Sequence, residues 1–348
     1  NGETITSDDT TKWKLSYSYD NLIMTNTRSR VLVWDPTNFW SYEGTTYHKD
    51  TLYKTIQNAY NKGFDVTRLQ GTRANHRHLT TEELAGLAQY DLIVFDCATV
   101  DLTTEEFNAY LEYLNNGGRI LFQVENAGSA APTDLRNQMN TKSSEIAQSL
   151  GGQFTAHAGE VVSANTVAKR WTTPARAAEL TKDMSNSWGI NVGAYITSSS
   201  KQVYPLMTAK TNKGNTSYVI CDQDAGNRDG SQWGALTIIG DTDVFHYSAT
   251  TTAASTGGSF IRNLVLNTVT RRISAAAGVN PNSGFNEWQA TTTTTEATNY
   301  RTPYAALQKA VEDNLVTLLL NSRGGSVDSV SNELLFEKTT LAYEAGST

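Results

Sequence analysis

The 348 residues suffice for one large domain with an appendage, or for two domains. Hydrophobic residues make up 39% of the chain, enough to bury a core, which excludes wholesale disorder. A formal net charge of -7 argues against a nucleic-acid or acidic-membrane surface, and no apolar run approaches the ~18 residues of a membrane-spanning helix.

Charged residues are only 18% of the chain, while Thr, Ser, Asn, Gly and Tyr abound, a composition expected of a secreted or cell-surface protein. The sequence begins at Asn1 without a basic and apolar leader, which fits a mature protein after signal-peptide removal and equally a truncated one. Cys97 and Cys221 are the only cysteines, which excludes a disulfide scaffold or a Cys-rich zinc site. They either pair across neighbouring strands or remain as two buried thiols. Asn215-Thr216-Ser217 is a glycosylation sequon of a kind that chance supplies in a chain this long.

Residues 1–29 are polar with aromatic interruptions and read as an N-terminal arm of one or two edge strands. Arg30 to Asp35 is the first strand, with an acid at its carboxyl end. The loop that follows carries Phe39, Trp40, Tyr42 and Tyr47, a set that suits either a loop pinned by its own rings or a ligand or protein contact. Lys49 to Asn61 reads as a helix and Phe64 to Leu69 as the second strand. His76 and His78 then sit two apart in a loop with no nearby Cys or further His in sequence, a weak metal signal.

The stretch from Tyr90 to Gly128 is the most informative. Leu92 to Phe95 is an apolar run suited to a strand buried on both faces. Thr103-Thr104-Glu105-Glu106 is a capping box, and Phe107, Tyr110, Leu111 and Leu114 fall on one helical stripe that Asn116-Gly117-Gly118 ends. Ile120 to Val124 is the next strand, so the segment reads as a βαβ unit of a parallel sheet. Chemistry in such sheets sits at the carboxyl ends of the strands, here Asp96-Cys97 and Glu125-Asn126.

Pro132 to Leu150 reads as a further helix. From Phe154 to about Lys213 short β-type pieces predict antiparallel strands at the sheet edge. Ser217 to Asp222 and Ala235 to Ile239 read as neighbouring strands, and Ser259 to Arg272 as a closing helix. Residues 30–273 thus form an α/β domain, expected to be a flavodoxin-like three-layer sandwich on a mostly parallel sheet. A Thr-rich linker, 274–301, leads to a C-terminal segment, 302–348, whose spacing predicts helices. Leu307, Val311, Leu315 and Leu318 line the first, and Leu334 and Leu335 belong to the second, stripes that short helices cannot bury alone.

The order of strand–Asp, helix, strand, short helix, DLIVFD, helix, GGRILFQVENAG and a terminal IIGDTDVF before a helix resembles the class I glutamine amidotransferase-like superfamily. More narrowly it resembles the non-enzymatic branch found in trehalose-utilisation-like, gliding-motility and intraflagellar-transport proteins. In the enzymes of that superfamily a nucleophilic Cys follows the strand corresponding to RILFQV. This sequence has Val124-Glu125-Asn126-Ala127-Gly128 there, and His246 stands without the usual Glu partner. The resemblance therefore implies the fold without thiol chemistry, and it implies no cofactor.

Asp35, Asp96, Glu125, Asp241 and Asp243 are all expected along one sheet edge. Such acids commonly cap turns, but Glu125 with Asp96 is also the pair a glycoside hydrolase would need. Asp222, Asp224 and Asp229 in DQDAGNRDG faintly resemble a calcium loop without its closing Glu. The leading expectation is a non-catalytic secreted or surface protein that self-associates or binds other surface or envelope proteins, in a filament, sheath or layer. The Phe39/Trp40/Tyr42 loop, with Leu307, Val311, Leu315, Leu318, Leu334 and Leu335, would then make the contacts. The competing expectation is a carboxylate-dependent extracellular hydrolase of carbohydrate, with that aromatic loop as a sugar platform.

Overall fold

The computed structural model describes residues 13–18, 21–26, 29–39, 51–58, 65–125, 133–162, 166–170, 175–184, 187–190, 193–228, 230–242, 245, 256–276, 286–291, 298–300, 317–322 and 340–344. The chain divides into two compact units, one of residues Arg30–Leu264 and one that joins Asn1–Ser29 to Val265–Thr348.

In the first unit the parallel strands are β3 (Arg30–Asp35), β4 (Asp65–Gln70), β5 (Leu92–Asp96), β6 (Arg119–Gln123) and β13 (Gly234–Ile239), hydrogen-bonded in the order β4-β3-β5-β6-β13. Beyond β13 the sheet turns antiparallel through β12 (Thr216–Ala225), β11 (Val203–Lys210), β8 (Thr166–Arg170) and β9 (Ser187–Ile190). Strand β7 (Thr155–Val162) pairs with β10 (Gly193–Thr197), which meets β12. The sheet is therefore mixed, not mostly parallel. The reason is local: β12 and β13 are joined by a polar turn, so they run antiparallel, and β11, β8 and β9 then each pair antiparallel with the strand before them.

The helices are α1 (Thr51–Asn58), α2 (Thr81–Ala85), α3 (Thr104–Asn115), α4 (Thr133–Ser149), α5 (Ala175–Leu180) and α6 (Thr256–Ala276). The expected capping box of Thr103 with Glu106 opens α3, and a second one, Thr80 with Glu83, opens α2. Glu106 is fully buried, since its carboxylate also takes the Leu79 backbone N–H at 2.8 Å and faces His78 Nδ1 at 3.0 Å. His78 is thereby engaged by a helix cap, which accounts for it without a metal.

Both faces of the central strands are buried: Val31, Val33, Val94 and Leu121 on one side, and a large apolar cluster on the other. Leu32, Trp34, Ile93, Phe95, Ile120, Phe122, Leu236 and Ile238 pack with Tyr110 and Leu114 of α3 and Ile146 and Ala147 of α4. Trp34, Phe95 and Phe122 lie side by side in register across β3, β5 and β6. Trp34 meets Phe95 edge-on at 4.9 Å, Phe95 meets Phe122 at 5.0 Å, and Tyr110 adds a further edge contact to Phe95 at 4.9 Å. Such pairs add about 0.5–1.5 kcal/mol each beyond the burial of their surfaces.

The second unit, where described, holds the end of α6 and two small sheets. Strands β1 (Trp13–Ser18) and β2 (Asn21–Asn26) form a hairpin, and β17 (Thr340–Glu344) pairs antiparallel with β2. A separate sheet has the order β15-β14-β16, with β14 at Asn286–Thr291, β15 at Thr298–Tyr300 and β16 at Thr317–Ser322. This corrects two expectations. The 274–301 stretch holds two strands where a linker was expected, and Leu318, expected on a helix, lies in strand β16. Three consecutive leucines satisfy a strand as well as a helix, and pairing of Leu318 with Ala290 and of Leu320 with Trp288 decides between them. Leu307, Val311, Leu315, Leu334 and Leu335 lie outside the described residues.

Close backbone approach fixes how α3 sits against the sheet. At Gly234, which opens β13, an added Cβ would stand 2.4 Å from the Leu114 carbonyl oxygen and 2.7 Å from that of Gly118. Both are backbone atoms that cannot yield without moving α3 or β6. Gly234→Ala is therefore expected to lower unfolding free energy by about 1–3 kcal/mol, read as a reduced urea midpoint at unchanged slope.

Candidate functional site

The register that stacks the aromatic row on one face places a polar row on the other, one residue further on. Gln70 pairs with Asp35 and Asp96 with Gln123 as direct neighbours, so Gln70, Asp35, Asp96 and Gln123 stand in line at the carboxyl ends of β4, β3, β5 and β6. Their hydrogen bonds follow from that line. Gln70 Nε2 donates to Asp35 Oδ2 at 2.8 Å, and Gln123 Nε2 donates to Asp96 Oδ1 at 2.9 Å. Arg68, two residues before Gln70 on the same face, reaches Asp35 Oδ2 at 3.3 Å.

Asp35 also accepts from the Phe39 backbone N–H at 3.3 Å, closing the turn after β3. Burial raises its carboxyl above the usual range, against the bonds from Gln70 and Arg68. Glu125 closes the turn after β13: its Oε2 accepts from both the backbone N–H and the hydroxyl of Thr242, each at 2.9 Å. The approach of that turn depends on Gly240, whose carbonyl takes the Ala194 N–H at 2.7 Å. Thr99 and Thr37, from the turns after β5 and β3, share a hydrogen bond of 3.1 Å. Asp35, Asp96, Glu125 and Asp241 are all buried. Asp243 lies outside the described residues.

Cys97 follows Asp96 with a left-handed φ of 50°, a conformation that a non-glycine residue adopts at some cost. Its thiol is fully buried, 4.0 Å from Gln123 Nε2. Burial, and then the charges of Asp96, Asp35 and Glu125, push it well above the ordinary thiol range. Activation of a nucleophilic thiol needs the opposite surroundings, a positive field and a base. Cys221 is likewise buried and shifted upward, by burial and then by Asp222. Both cysteines are free, so the pairing alternative does not hold.

A second polar network occupies the junction between the parallel and antiparallel halves. Asp222 of β12 sits opposite Thr237 of β13, whose hydroxyl donates to its Oδ1 at 2.6 Å. Arg119, at the start of β6, forms an ion pair with the same oxygen and donates to Thr237 Oγ1 at 2.6 Å. Arg176 of α5 reaches Asp222 Oδ2 at 2.6 Å and Asp224 Oδ1 at 2.7 Å, with its guanidinium 4.7 Å from the Tyr204 ring centroid. Burial disfavours the Arg176 cation, but Asp222 and Asp224 outweigh it and raise its pKa. The calcium-loop expectation for Asp222 and Asp224 is thereby corrected. Both belong to a strand and face arginines, and Asp229 lies outside the described residues. No group of three or more His, Cys, Asp or Glu among the described residues is placed to hold a metal ion.

Of the expected contact residues, Phe39 is buried, 1% exposed, and belongs to the core of its turn rather than to an open platform. Trp40 and Tyr42 lie outside the described residues. The structure puts Asp35, Asp96 and Glu125 at the same sheet edge, as their strand-end positions imply. Sequence reasoning missed Gln70, Gln123, Thr242, Arg119 and Arg176. Arg119 carried a usable signal: an arginine opening an apolar strand must find a buried acid, and the Asp in SYVICD was the available one.

No family model matches the sequence, and no curated protein matches it. Solved structures similar to the chain include the mmIFT52 N-terminal domain, at 15% identity and TM-score 0.43 over 70% of this chain and 97% of that one. A putative ThuA-like protein from Bacteroides uniformis matches at 13% identity and TM-score 0.39, over 73% of this chain and 94% of that one. A putative ThuA-like protein from Parabacteroides merdae matches at 13% identity and TM-score 0.39, over 78% of this chain and 97% of that one. These likenesses are too distant to say anything of the site.

Thiol accessibility checks the burial of the two cysteines. In native protein at about pH 8 neither Cys97 nor Cys221 is expected to react with iodoacetamide, while both react in denaturant. Rapid alkylation of Cys97 in the folded chain contradicts this description.

Proposed function

We propose that the chain is a non-catalytic structural or binding protein of the cell surface or extracellular space. In this reading an amidotransferase-like α/β domain with flavodoxin-like layering is a subunit of a larger assembly. The carrying observation is the internal use of the sheet edge. Asp35 and Glu125 each accept from backbone N–H groups of the turns beside them, and Asp96 accepts from Gln123. Carboxylates engaged in this way hold turns together, and a hydrolytic pair would instead have to face a substrate and exchange protons with it. The shifted thiol of Cys97 argues in the same direction against a covalent mechanism.

The assembly part of the reading draws on the second unit. Its two described sheets have three strands each, β1-β2-β17 and β15-β14-β16, and the first joins the two ends of the chain. Small antiparallel sheets present edge strands that pair readily with another chain, the mode by which strand addition builds assemblies. The natural partners are further copies of this chain or other surface or envelope proteins. The hydrolase reading, with Glu125 and Asp96 as its pair, is opposed by the two bonds that Glu125 Oε2 accepts from Thr242.

Sedimentation velocity of the full chain across a hundredfold range of concentration, of about 1 to 100 μM, tests the proposal. The expected result is a mass that climbs above that of one chain as concentration rises. A monomer throughout that range, with no binding to other surface proteins, would overturn it.

A further inference from the structure

The polar row leaves one group unexplained. Gln123 is 1% exposed, and its side-chain oxygen, Oε1, has no hydrogen-bond partner. Its orientation is not interchangeable. The amide nitrogen is the atom 2.9 Å from Asp96 Oδ1, and turning the amide over would set two oxygens against each other. A buried amide oxygen without a donor loses its hydration with nothing in return, so such a group calls for a specific occupant.

The surroundings define the chemistry of that occupant. Asp96 adjoins Gln123 directly, and Asp35 and Glu125 bind the turns at the same carboxyl edge of the sheet. The group lies just beneath the surface: Asp96 and Glu125 each keep 4% exposure and Gln123 1%, while Cys97 keeps none. A metal ion is a poor match, because a hard cation needs several oxygen ligands in a defined shell and no described cluster supplies one. A second orphaned acceptor lies at the same strand end. Asn140 Oδ1 of α4 is buried without a partner, while its amide nitrogen donates to the Glu125 carbonyl at 3.3 Å and the Arg136 carbonyl at 3.1 Å.

We propose that the carboxyl end of β5 and β6 binds a small primary-ammonium group, which donates an N–H to Gln123 Oε1 and sets its charge beside Asp96. The inference is independent of whether the chain self-associates, because every residue it uses belongs to the Arg30–Leu264 unit.

The test is thermal unfolding of the full chain in methylammonium chloride, tetramethylammonium chloride and glycerol, the two salts at equal ionic strength. Methylammonium carries both charge and N–H donors, tetramethylammonium the charge alone, and glycerol neutral donors alone. The expected result is a saturable rise in Tm with methylammonium only, and an affinity at least about tenfold weaker in Gln123→Met, or about 1.4 kcal/mol. Should Gln123→Met fail to fold, Asp96→Asn, which keeps an acceptor for Gln123, is expected to show the same loss. Equal rises in the two salts would reduce the effect to ionic strength. A rise with glycerol alone, no rise at all, as for a buried water on Gln123, or an unchanged response in the folded variant would each overturn the proposal.

Discussion

The parallel register of β3, β5 and β6 is the constraint from which most of this domain follows. One row of that register, Trp34, Phe95 and Phe122, meets edge to face beneath α3. The next row must point to the opposite face, because side chains alternate along a strand. It consists of Asp35, Asp96 and Gln123, with Gln70 beside Asp35. A slip of one residue in any of these strands would bury an acid among the rings and move an aromatic into the polar row. The aromatic row thus fixes the acids in place, and their hydrogen bonds to Gln70, Gln123 and the turn after β3 offset part of the penalty of burying them.

The same logic operates where the sheet changes direction. Arg119, Asp222, Thr237 and Arg176 come from β6, β12, β13 and α5, and they meet on the face opposite Ile120, Cys221 and Leu236. A buried ion pair is a weak source of net stability, yet breaking one is costly, since it strands a charge. The network therefore acts as a geometric lock on the antiparallel hairpin of β12 and β13 against the parallel half. With Gly234 and Gly118 allowing α3 to approach, it sets where β13 ends, and hence where Thr242 meets Glu125.

Much of this was legible in the sequence. The apolar run Leu92–Phe95, the Thr103/Glu106 box and the Gly117-Gly118 stop each encode a local element whose physics is complete within a few residues, and they specify β5, α3 and β6. The alignment of Asp35, Asp96 and Glu125 at one edge followed from parallel topology alone. What escaped was pairwise and long-range. Nothing near Gln123 says that it will donate to Asp96, because the pairing depends on strand register. Nothing in DQDAG distinguishes a cation loop from a strand whose acids face Arg119 and Arg176. The C-terminal Thr317–Ser322 misled for the same reason: its leucines fit a helix until the partner strand Asn286–Thr291 is placed beside it.

The central claim is that the acids of the sheet edge hold the fold together and carry out no chemistry. The unfolding free energy of Glu125→Ala tests it most directly. If Glu125 secures the turn after β13, its loss strands the Thr242 N–H and hydroxyl and lowers stability by about 2 kcal/mol or more. A carboxylate kept for catalysis is commonly held at the expense of stability, so an unchanged or increased unfolding free energy in this variant would contradict the account.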